Sequence, residues 1–404
     1  MFRGKIQLRP ATRAAVPSRR AFLAAAGVSI GLAGCLSSGL PDNELDSVSG
    51  EWRMVGRDAA HTRRVEDGPG DPSTVWGREL DGTRAAGTPA LADERLYVPA
   101  DAVTPESRSF NRLYALDART GETYWWAPLR IDLNGPPAVV GNRILVSGKR
   151  SLERGRVVCF GSRYGEEEWL YDVDARLTAP PTVDGGVAYV PDWSGTVHAL
   201  WVADGSVLWS QQIEDRIEQG NTTFTTPVAV DGDTLYVGSN SGATGIVALG
   251  TDDGEEQWRA ETNPVTGGPV VHDDLLLIQS YGLVVAYGTD GERRWGFNLL
   301  DGGHRPMAVD DEHVYAASED TLYAITHDGE RSWTYEPSAG RVGSPTVVGD
   351  SVLLRGEGRL TALSTATGEE QWSRSTEGVG EVVATPDALF VTGDGGRLLA
   401  LGEG

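Results

Sequence analysis

The chain has 404 residues, with 58 acidic and 35 basic side chains and a formal net charge of −23. Only Lys5 and Lys149 are lysines. A surface this acidic repels phosphate backbones and anionic lipids, which excludes nucleic-acid binding and polybasic membrane docking as starting hypotheses. Acidic surfaces are also typical of proteins from high-salt habitats, so we expect a halophilic source. With 40% apolar residues and 52 glycines, the composition favours a turn-rich β fold over disorder.

The first 34 residues are predicted to be an export signal. Six basic residues and no acidic ones precede Cys35, as in the n-region of a signal peptide. Ser18-Arg19-Arg20-Ala21-Phe22-Leu23 resembles the twin-arginine motif, and Leu32-Ala33-Gly34-Cys35 resembles a lipobox. We therefore expect a lipidated Cys35 on the outer face of the cytoplasmic membrane, followed by a flexible tether over residues 35–50. The alternative is a plain secreted protein with a chance cysteine.

A repeat governs the rest of the chain. Tryptophans recur at intervals of 37 to 49 residues, at Trp76, Trp125, Trp169, Trp209, Trp258, Trp295, Trp333 and Trp372. A small residue precedes them in a short apolar strand, at Ala115, Cys159, Ala199, Ala248, Ala286, Ala324, Ala362 and Ala400. A proline opens each unit, at Pro89, Pro137, Pro181, Pro227, Pro269, Pro306, Pro345 and Pro386. Turns ending in glycine, usually beside an acid, separate most small-residue strands from the tryptophan strands.

Three landmarks in eight copies predict an all-β fold, an eight-bladed β-propeller of four-stranded antiparallel blades. The units are about 41 residues long, and each has room for four short strands, which we label A to D from the proline strand to the tryptophan strand. The last unit ends after strand C. The segment 73–80, which contains Trp76 and precedes the first proline, is therefore predicted to supply the missing strand D and close the ring.

The small residue, the Gly turn and the tryptophan resemble the repeat of the pyrrolo-quinoline-quinone (PQQ) propeller family, which includes quinoprotein alcohol dehydrogenases. The copy running from Ala115 to Trp125 matches best, and Trp52 to Asp58 with His61-Thr62 resembles the lead-in of such propellers. The resemblance implies a PQQ-like propeller over residues 51–404. The chain also resembles haloarchaeal-type secreted lipoproteins and an outer-membrane-assembly lipoprotein that is a scaffold built from the same repeat.

The resemblance to the dehydrogenases implies a quinone held over a vicinal cysteine disulfide, with calcium beside it. The chain has only Cys35 and Cys159, which cannot form such a pair. We therefore predict no cofactor and no metal site, with PQQ and calcium kept as the disfavoured alternative. Cys159 is expected to act as a small buried residue in place of alanine, and the eight tryptophans as wedges between blades.

Candidate binding residues cluster where the D–A connections and the B–C loops meet, around one mouth of the channel. Cations there would stand out against so acidic a chain. The predicted ligand-binding residues are Arg176, Trp193, Asn221, His304, Arg305 and Arg341. The competing interpretation is that the arginines pair with nearby carbonyls or acids and that Trp193 only packs its loop.

These observations favour a non-enzymatic, cell-surface binding or scaffold module over an enzyme. Its expected partner is an envelope or cell-surface protein, or a small anionic ligand, at the mouth. The alternative is a membrane-tethered PQQ-dependent oxidoreductase acting on an alcohol or a sugar. A solute-binding or sensory module is a third possibility.

Overall fold

The computed structural model describes residues 40–103, 109–133, 135–214, 222–240, 244–300, 302–303, 305–338, 340–356, 358–376 and 380–403. All regular elements within them are β-strands. The strands form eight sheets, each with four antiparallel strands in the order A to D, arranged as an eight-bladed propeller. The predicted all-β fold is confirmed. No helix of these residues is long and apolar enough to cross a membrane.

The blades follow one another along the chain. In the first two blades strand A consists of two short pieces. Strands A to D of blade 1 are Thr83–Ala86 with Ala90–Ala92, Arg95–Val103, Ser109–Asp117 and Thr123–Leu129, and those of blade 2 are Asp132–Leu133 with Ala138–Val140, Arg143–Lys149, Gly155–Gly161 and Glu167–Val173. Those of blade 3 are Thr182–Asp184, Val187–Pro191, Thr196–Trp201 and Val207–Gln212, and those of blade 4 are Ala229–Asp231, Thr234–Gly238, Ile246–Gly250 and Glu256–Ala260.

The remaining blades have the same order. Their strands A to D are, for blade 5, Gly267–His272, Leu275–Ser280, Leu283–Gly288 and Arg293–Asn298; for blade 6, Ala308–Val309, His313–Ala317, Leu322–Thr326 and Arg331–Tyr335; for blade 7, Thr346–Val348, Ser351–Gly356, Arg359–Ser364 and Glu370–Ser375; and for blade 8, Val382–Ala384, Ala388–Thr392, Arg397–Gly402 and Ser73–Glu79. A further two-residue strand, Arg64–Val65, runs parallel to strand A of blade 7.

The ring closes as predicted. Ser73–Glu79 pairs antiparallel with Arg397–Gly402, and Trp76 lies opposite Ala400, as a tryptophan lies opposite the small residue in the other blades. The two ends of the folded ring therefore share one sheet. This pairing removes the open edge that strand C of blade 8 would otherwise expose.

Seven of the landmark tryptophans join neighbouring blades. Each indole N–H donates to a backbone carbonyl in the C–D turn of the next blade, from Trp76 to Ala118 at 3.2 Å through Trp333 to Thr365 at 2.8 Å. The turn glycine beneath each ring has a positive φ, and a Cβ there would collide with the indole. The tryptophans are thus the expected wedges between blades.

Cys159 occupies the small-residue position of blade 2, where it is fully buried among apolar side chains. It pairs across the sheet with Trp169. Burial raises the pKa of its thiol to about 12, so the thiolate is strongly disfavoured. The prediction that Cys159 replaces alanine in the core is confirmed.

Residues 52–65, which we call the inner strap, line the inside of the ring. Strand A of each blade turns one backbone edge toward the channel, and buried N–H groups on such an edge need acceptors. Strap carbonyls accept hydrogen bonds of 2.8 to 3.1 Å from the same position of strand A in six blades, namely from the N–H groups of Leu91, Val139, Val230, Val271, Val309 and Val347. The strap therefore takes the place of a missing innermost strand.

Blades 3 and 8 are reached by side chains instead. His61 Nε2 lies 3.2 Å from the Thr182 hydroxyl of blade 3. Just before the strap, the Ser47 hydroxyl and the Ser49 backbone N–H donate to the Asp387 carboxylate of blade 8 at 3.1 and 2.6 Å. Residues 47–65 thus contact every blade of the ring.

Residues 40–50 differ from the predicted flexible tether. Leu45 and Val48 are buried in the hydrophobic core that joins blades 7, 8 and 1. Gly77 N–H donates to the Pro41 carbonyl at 2.9 Å. The two buried apolar side chains and this backbone hydrogen bond hold the stretch on the ring, because burial offsets part of the ordering entropy.

Candidate functional site

Two faces of the ring differ in their connections. The A–B and C–D turns form one face, the turn face, and the D–A connections with the B–C turns form the other, the mouth face. A cavity of about 480 Å³, which we call the mouth pocket, lies on the mouth face between blades 6, 7, 8 and 1. Its charged lining residues are Arg305, Arg341, Arg355 and Glu381. Three guanidinium groups and one carboxylate make it a local exception in an acidic chain.

The carboxylate of the mouth pocket is already engaged by the strap. Glu381 accepts a hydrogen bond of 2.6 Å from Arg63 Nη2 and one of 2.9 Å from the Ser344 hydroxyl. The Arg63 side chain is 5% exposed and also donates to the Pro345 carbonyl at 2.8 Å. The lining of the pocket therefore has three guanidinium groups and one carboxylate that is already paired.

Arg355 is the most deeply buried of the three arginines, at 5% exposure. Its Nη1 donates to the Thr392 carbonyl at 2.6 Å. Burial lowers the pKa of Arg355 to about 10, against the opposing charges of Asp394 and Glu381, so the guanidinium stays charged at neutral pH. An anion entering the pocket would compensate this desolvation.

The other two arginines point to more open surroundings. Arg341 is exposed, and its Nη2 lies 3.7 Å from a Glu319 carboxylate oxygen that is itself exposed. Arg305 is half-buried at the start of blade 6. An arginine in a long, exposed contact, such as Arg341, can follow a ligand with little loss of existing interactions.

The predicted site residues separate into two groups. Arg305 and Arg341 share the mouth pocket, whereas Arg176 and Trp193 stack on each other, with the guanidinium carbon 4.2 Å from the centre of the indole ring. The backbone N–H of Trp193 also donates to the Arg176 carbonyl at 2.9 Å. Asn221 and His304, together with Cys35, lie outside the described residues.

Sequence reasoning missed Arg355 and Glu381. Arg355 lies in strand B of blade 7, opposite Leu360, where the other blades place uncharged residues. The corresponding residues are Pro99, Ser147, Pro191, Gly238, Gln279, Ala317 and Thr392. An alignment of the eight repeats would therefore single out Arg355 as a candidate from the sequence alone.

The turn face carries a depression with the opposite charge. Its volume is about 830 Å³, and the strap forms one side of it. The charged lining residues are Glu51, Arg53, Arg57, Asp58, Asp93, Glu94 and Asp184. Five carboxylates and two guanidinium groups make this depression acidic, like the chain as a whole.

A third, smaller cavity of about 160 Å³ lies in the channel itself, against His61 and Arg63 of the strap. Prolines from five blades line it, namely Pro136, Pro180, Pro227, Pro269 and Pro306. Among the described residues, no group of three or more His, Cys, Asp or Glu side chains is arranged to hold a metal ion.

Comparison with known proteins agrees with this architecture. A family model described as "Outer membrane protein assembly factor BamB" matches residues 68–280 and 243–403. The chain belongs to this family. An outer membrane protein assembly factor BamB from Moranella endobia is 24% identical over 323 residues, which cover 71% of this chain and 78% of the relative.

Solved structures share the fold. BamB from Moraxella catarrhalis superposes with a TM-score of 0.65 at 18% identity, covering 82% of this chain and 98% of that one. Quinohemoprotein alcohol dehydrogenase from Comamonas testosteroni superposes with a TM-score of 0.70 at 16% identity, covering 89% of this chain and 82% of that one. Because an assembly factor and an alcohol dehydrogenase share this fold, the function has to be argued from the site.

Proposed function

We propose that this protein is an exported lipoprotein whose propeller acts as a binding or scaffold module, with the mouth pocket as its binding site. The observation that carries the proposal is the set of Arg305, Arg341 and Arg355 around one cavity of an otherwise acidic chain. Its relatives are named as assembly factors of the outer membrane, which supports an envelope or cell-surface protein as the partner.

The ligand we propose for the mouth pocket is a carboxylate-bearing group, on a small anion or on an acidic segment of the partner. Guanidinium groups bind carboxylates through paired, charge-assisted hydrogen bonds. In a partly enclosed cavity these bonds are stronger than in open water. The surrounding negative surface would repel anions elsewhere on the ring, which favours the mouth as their point of entry.

The location we propose is the outer face of the cytoplasmic membrane, with residues 1–34 as the removed signal and Cys35 as the lipid-bearing residue. Two acyl chains on Cys35 would anchor the chain stably, whereas one would be marginal. Replacing Cys35 with Ala should therefore move the protein from the membrane fraction to the soluble fraction. Unchanged tight membrane association of that variant would contradict the lipid anchor.

We propose no quinone cofactor, although quinohemoprotein dehydrogenases share the fold. Cys35 and Cys159 are far apart in sequence and cannot form a vicinal disulfide, and Cys159 is buried between blades 2 and 3. The residues present thus do not fit that group. Saturable binding of PQQ with calcium, coupled to dye reduction by an alcohol, would overturn this view.

Binding at the mouth pocket can be tested with a pentaglutamate peptide, titrated into the purified protein and followed by calorimetry. Arg305→Ala and Arg341→Ala should each weaken binding by about five- to tenfold, because each removes one charged hydrogen-bond donor. Arg163→Ala is the matched control, since Arg163 stacks on Tyr164 in the C–D turn of blade 2 on the opposite face. Equal losses in all three variants, or none, would contradict binding at the mouth.

A further inference from the structure

Blade 3 contains a series of hydrogen-bonded polar side chains, which lies outside the mouth pocket. His198 lies on strand C, and its cross-strand neighbour on strand D is Ser210. Asp192 follows strand B in the B–C turn. Tyr171 reaches the same place from strand D of blade 2, with its ring 5.7 Å from the His198 ring.

The repeat does not require a histidine at this position. In the other seven blades, the residue just before the small core residue is mostly apolar, namely Tyr114, Val158, Val247, Val285, Tyr323, Thr361 and Leu399. A buried polar side chain needs hydrogen bonds to offset its desolvation, and apolar residues fill the same space without that cost. Packing alone therefore leaves His198 unexplained.

The hydrogen bonds orient the histidine. His198 Nε2 lies 3.1 Å from Asp192 Oδ2, and a carboxylate can only accept, so Nε2 carries the proton. Asp192 is 2% exposed, and its other oxygen accepts from the Ser194 hydroxyl, Ser194 N–H and Thr196 N–H. Burial opposes ionisation, but these hydrogen bonds, with that from His198, lower the pKa of Asp192.

With its proton on Nε2, His198 offers a lone pair on Nδ1 to a hydroxyl group. The Ser210 hydroxyl is 3.1 Å from Nδ1, and the Tyr171 hydroxyl is 3.4 Å from the same atom. The serine is the closer donor, which leaves the tyrosine O–H able to donate to another acceptor beside it. Burial and the charge of Asp192 raise the pKa of Tyr171, so it remains a donor at neutral pH.

We propose that Ser210 is a nucleophile that accepts acyl groups from small esters, with His198 as its base and Asp192 as the residue that orients the base. A serine, a histidine and a buried aspartate in hydrogen-bonded series perform this chemistry on unrelated folds, where geometry and not chain order defines the site. Tyr171 is the donor to the developing oxyanion. Ser210 is exposed, so an ester in solution can reach it.

The reaction balances with the ester and water alone. Ser210 Oγ bonds to the ester carbonyl carbon as its proton passes to His198 Nδ1, and the bond from that carbon to the alkoxy oxygen then breaks. The leaving alcohol takes the proton from Nδ1. Water repeats the sequence on the acyl-serine, releasing a carboxylic acid and restoring the Ser210 hydroxyl.

Labelling with a fluorophosphonate probe, together with hydrolysis of p-nitrophenyl acetate, tests the proposal on the purified protein. The probe should attach to Ser210, as read by peptide mass spectrometry. Both readouts should be lost in Ser210→Ala, which removes the nucleophile, and should fall about 100-fold in His198→Gln, which removes the base. Ser373→Ala is the matched control, because Ser373 holds the equivalent cross-strand position in blade 7 opposite Thr361.

A second measurement leaves His198 in place and so does not depend on whether His198→Gln folds. Ser210→Cys places a thiol beside His198, and its alkylation by iodoacetamide at pH 7 should be at least fivefold faster than that of Thr334→Cys, at the equivalent exposed position of blade 6 opposite Tyr323. Equal alkylation rates, or a probe adduct and esterase rate that persist in Ser210→Ala, would overturn the proposal. Neither outcome bears on pentaglutamate binding at the mouth, so the two proposals can fail separately.

Discussion

At the turn face the backbone of the inner strap runs around the inside of the channel, whereas at the mouth face arginine side chains line a cavity. The depression beside the strap is acidic, and the mouth pocket is cationic. Backbone hydrogen bonds are available to almost any sequence, so the strap can join blades without dictating their side chains. The mouth, in contrast, depends on individual residues, which makes it the end at which recognition can evolve.

The first prediction tests the strap through its most buried side chain. Trp52 is 1% exposed, and its backbone exchanges hydrogen bonds of 2.8 and 2.9 Å with Leu91 of blade 1. Trp52→Ala should lower the free energy of unfolding by about 3–5 kcal/mol, because it leaves a large cavity while the backbone bonds remain. Urea titration would measure the loss. Trp126→Ala, at a half-exposed indole, should cost far less.

The second prediction concerns pH, through His61 of the strap. Burial lowers the pKa of His61 to about 4, against the attraction of Asp58, so the folded protein holds this ring neutral. The unfolded chain binds its proton below about pH 6.5, and stability from this residue is therefore complete above pH 6.5 and lost as pH falls toward 4. The loss should reach about 3 kcal/mol at pH 4.

The control for this effect is the same titration of stability in His61→Gln, which has no ring to protonate. The curve of the variant should be flatter than that of the parent between pH 6.5 and 4, whatever its absolute stability. Parallel curves over that interval would contradict the assigned role of His61.

The third prediction links the two ends of the channel. Arg63→Met keeps the length of the side chain but removes the partner of Glu381, which is one-third exposed. The free energy of unfolding should fall by about 2 kcal/mol, less than for a fully buried pair. The carboxylate left in the mouth pocket should also weaken pentaglutamate binding, as calorimetry would detect. Unaltered binding in a folded Arg63→Met protein would mean that Glu381 does not face the ligand.

The smallest effect on stability is expected at the mouth itself. Arg341 makes one long, exposed contact with Glu319, so Arg341→Ala should change the free energy of unfolding by less than about 0.5 kcal/mol. Its effect on pentaglutamate binding should exceed its effect on stability and should shrink as salt rises. A large loss of stability would mean that Arg341 stabilises the ring and would contradict a role in binding alone.

The architecture was available from the sequence because it is periodic. Each blade repeats the same small residue, turn and tryptophan, and the count of landmarks alone showed that residues 73–80 had to complete blade 8. The grouping of residues at the mouth was not predicted. Arg305 and Arg341 share a pocket, but Arg176 and Trp193 form a separate stack. Chain order assigns a residue to a face and to a blade, whereas the packed ring decides how far across that face its side chain reaches.

The sequence by itself determined the repeat, the closure of the ring and the burial of Cys159, since each follows from local patterns that recur at a fixed period. Only the tertiary structure decided the path of residues 52–65, the place of Arg355 in the mouth pocket and the alignment of Asp192, His198 and Ser210. These features depend on contacts between residues far apart in the chain or on different strands. No local propensity encodes such contacts, because they exist only after the blades have packed into a ring.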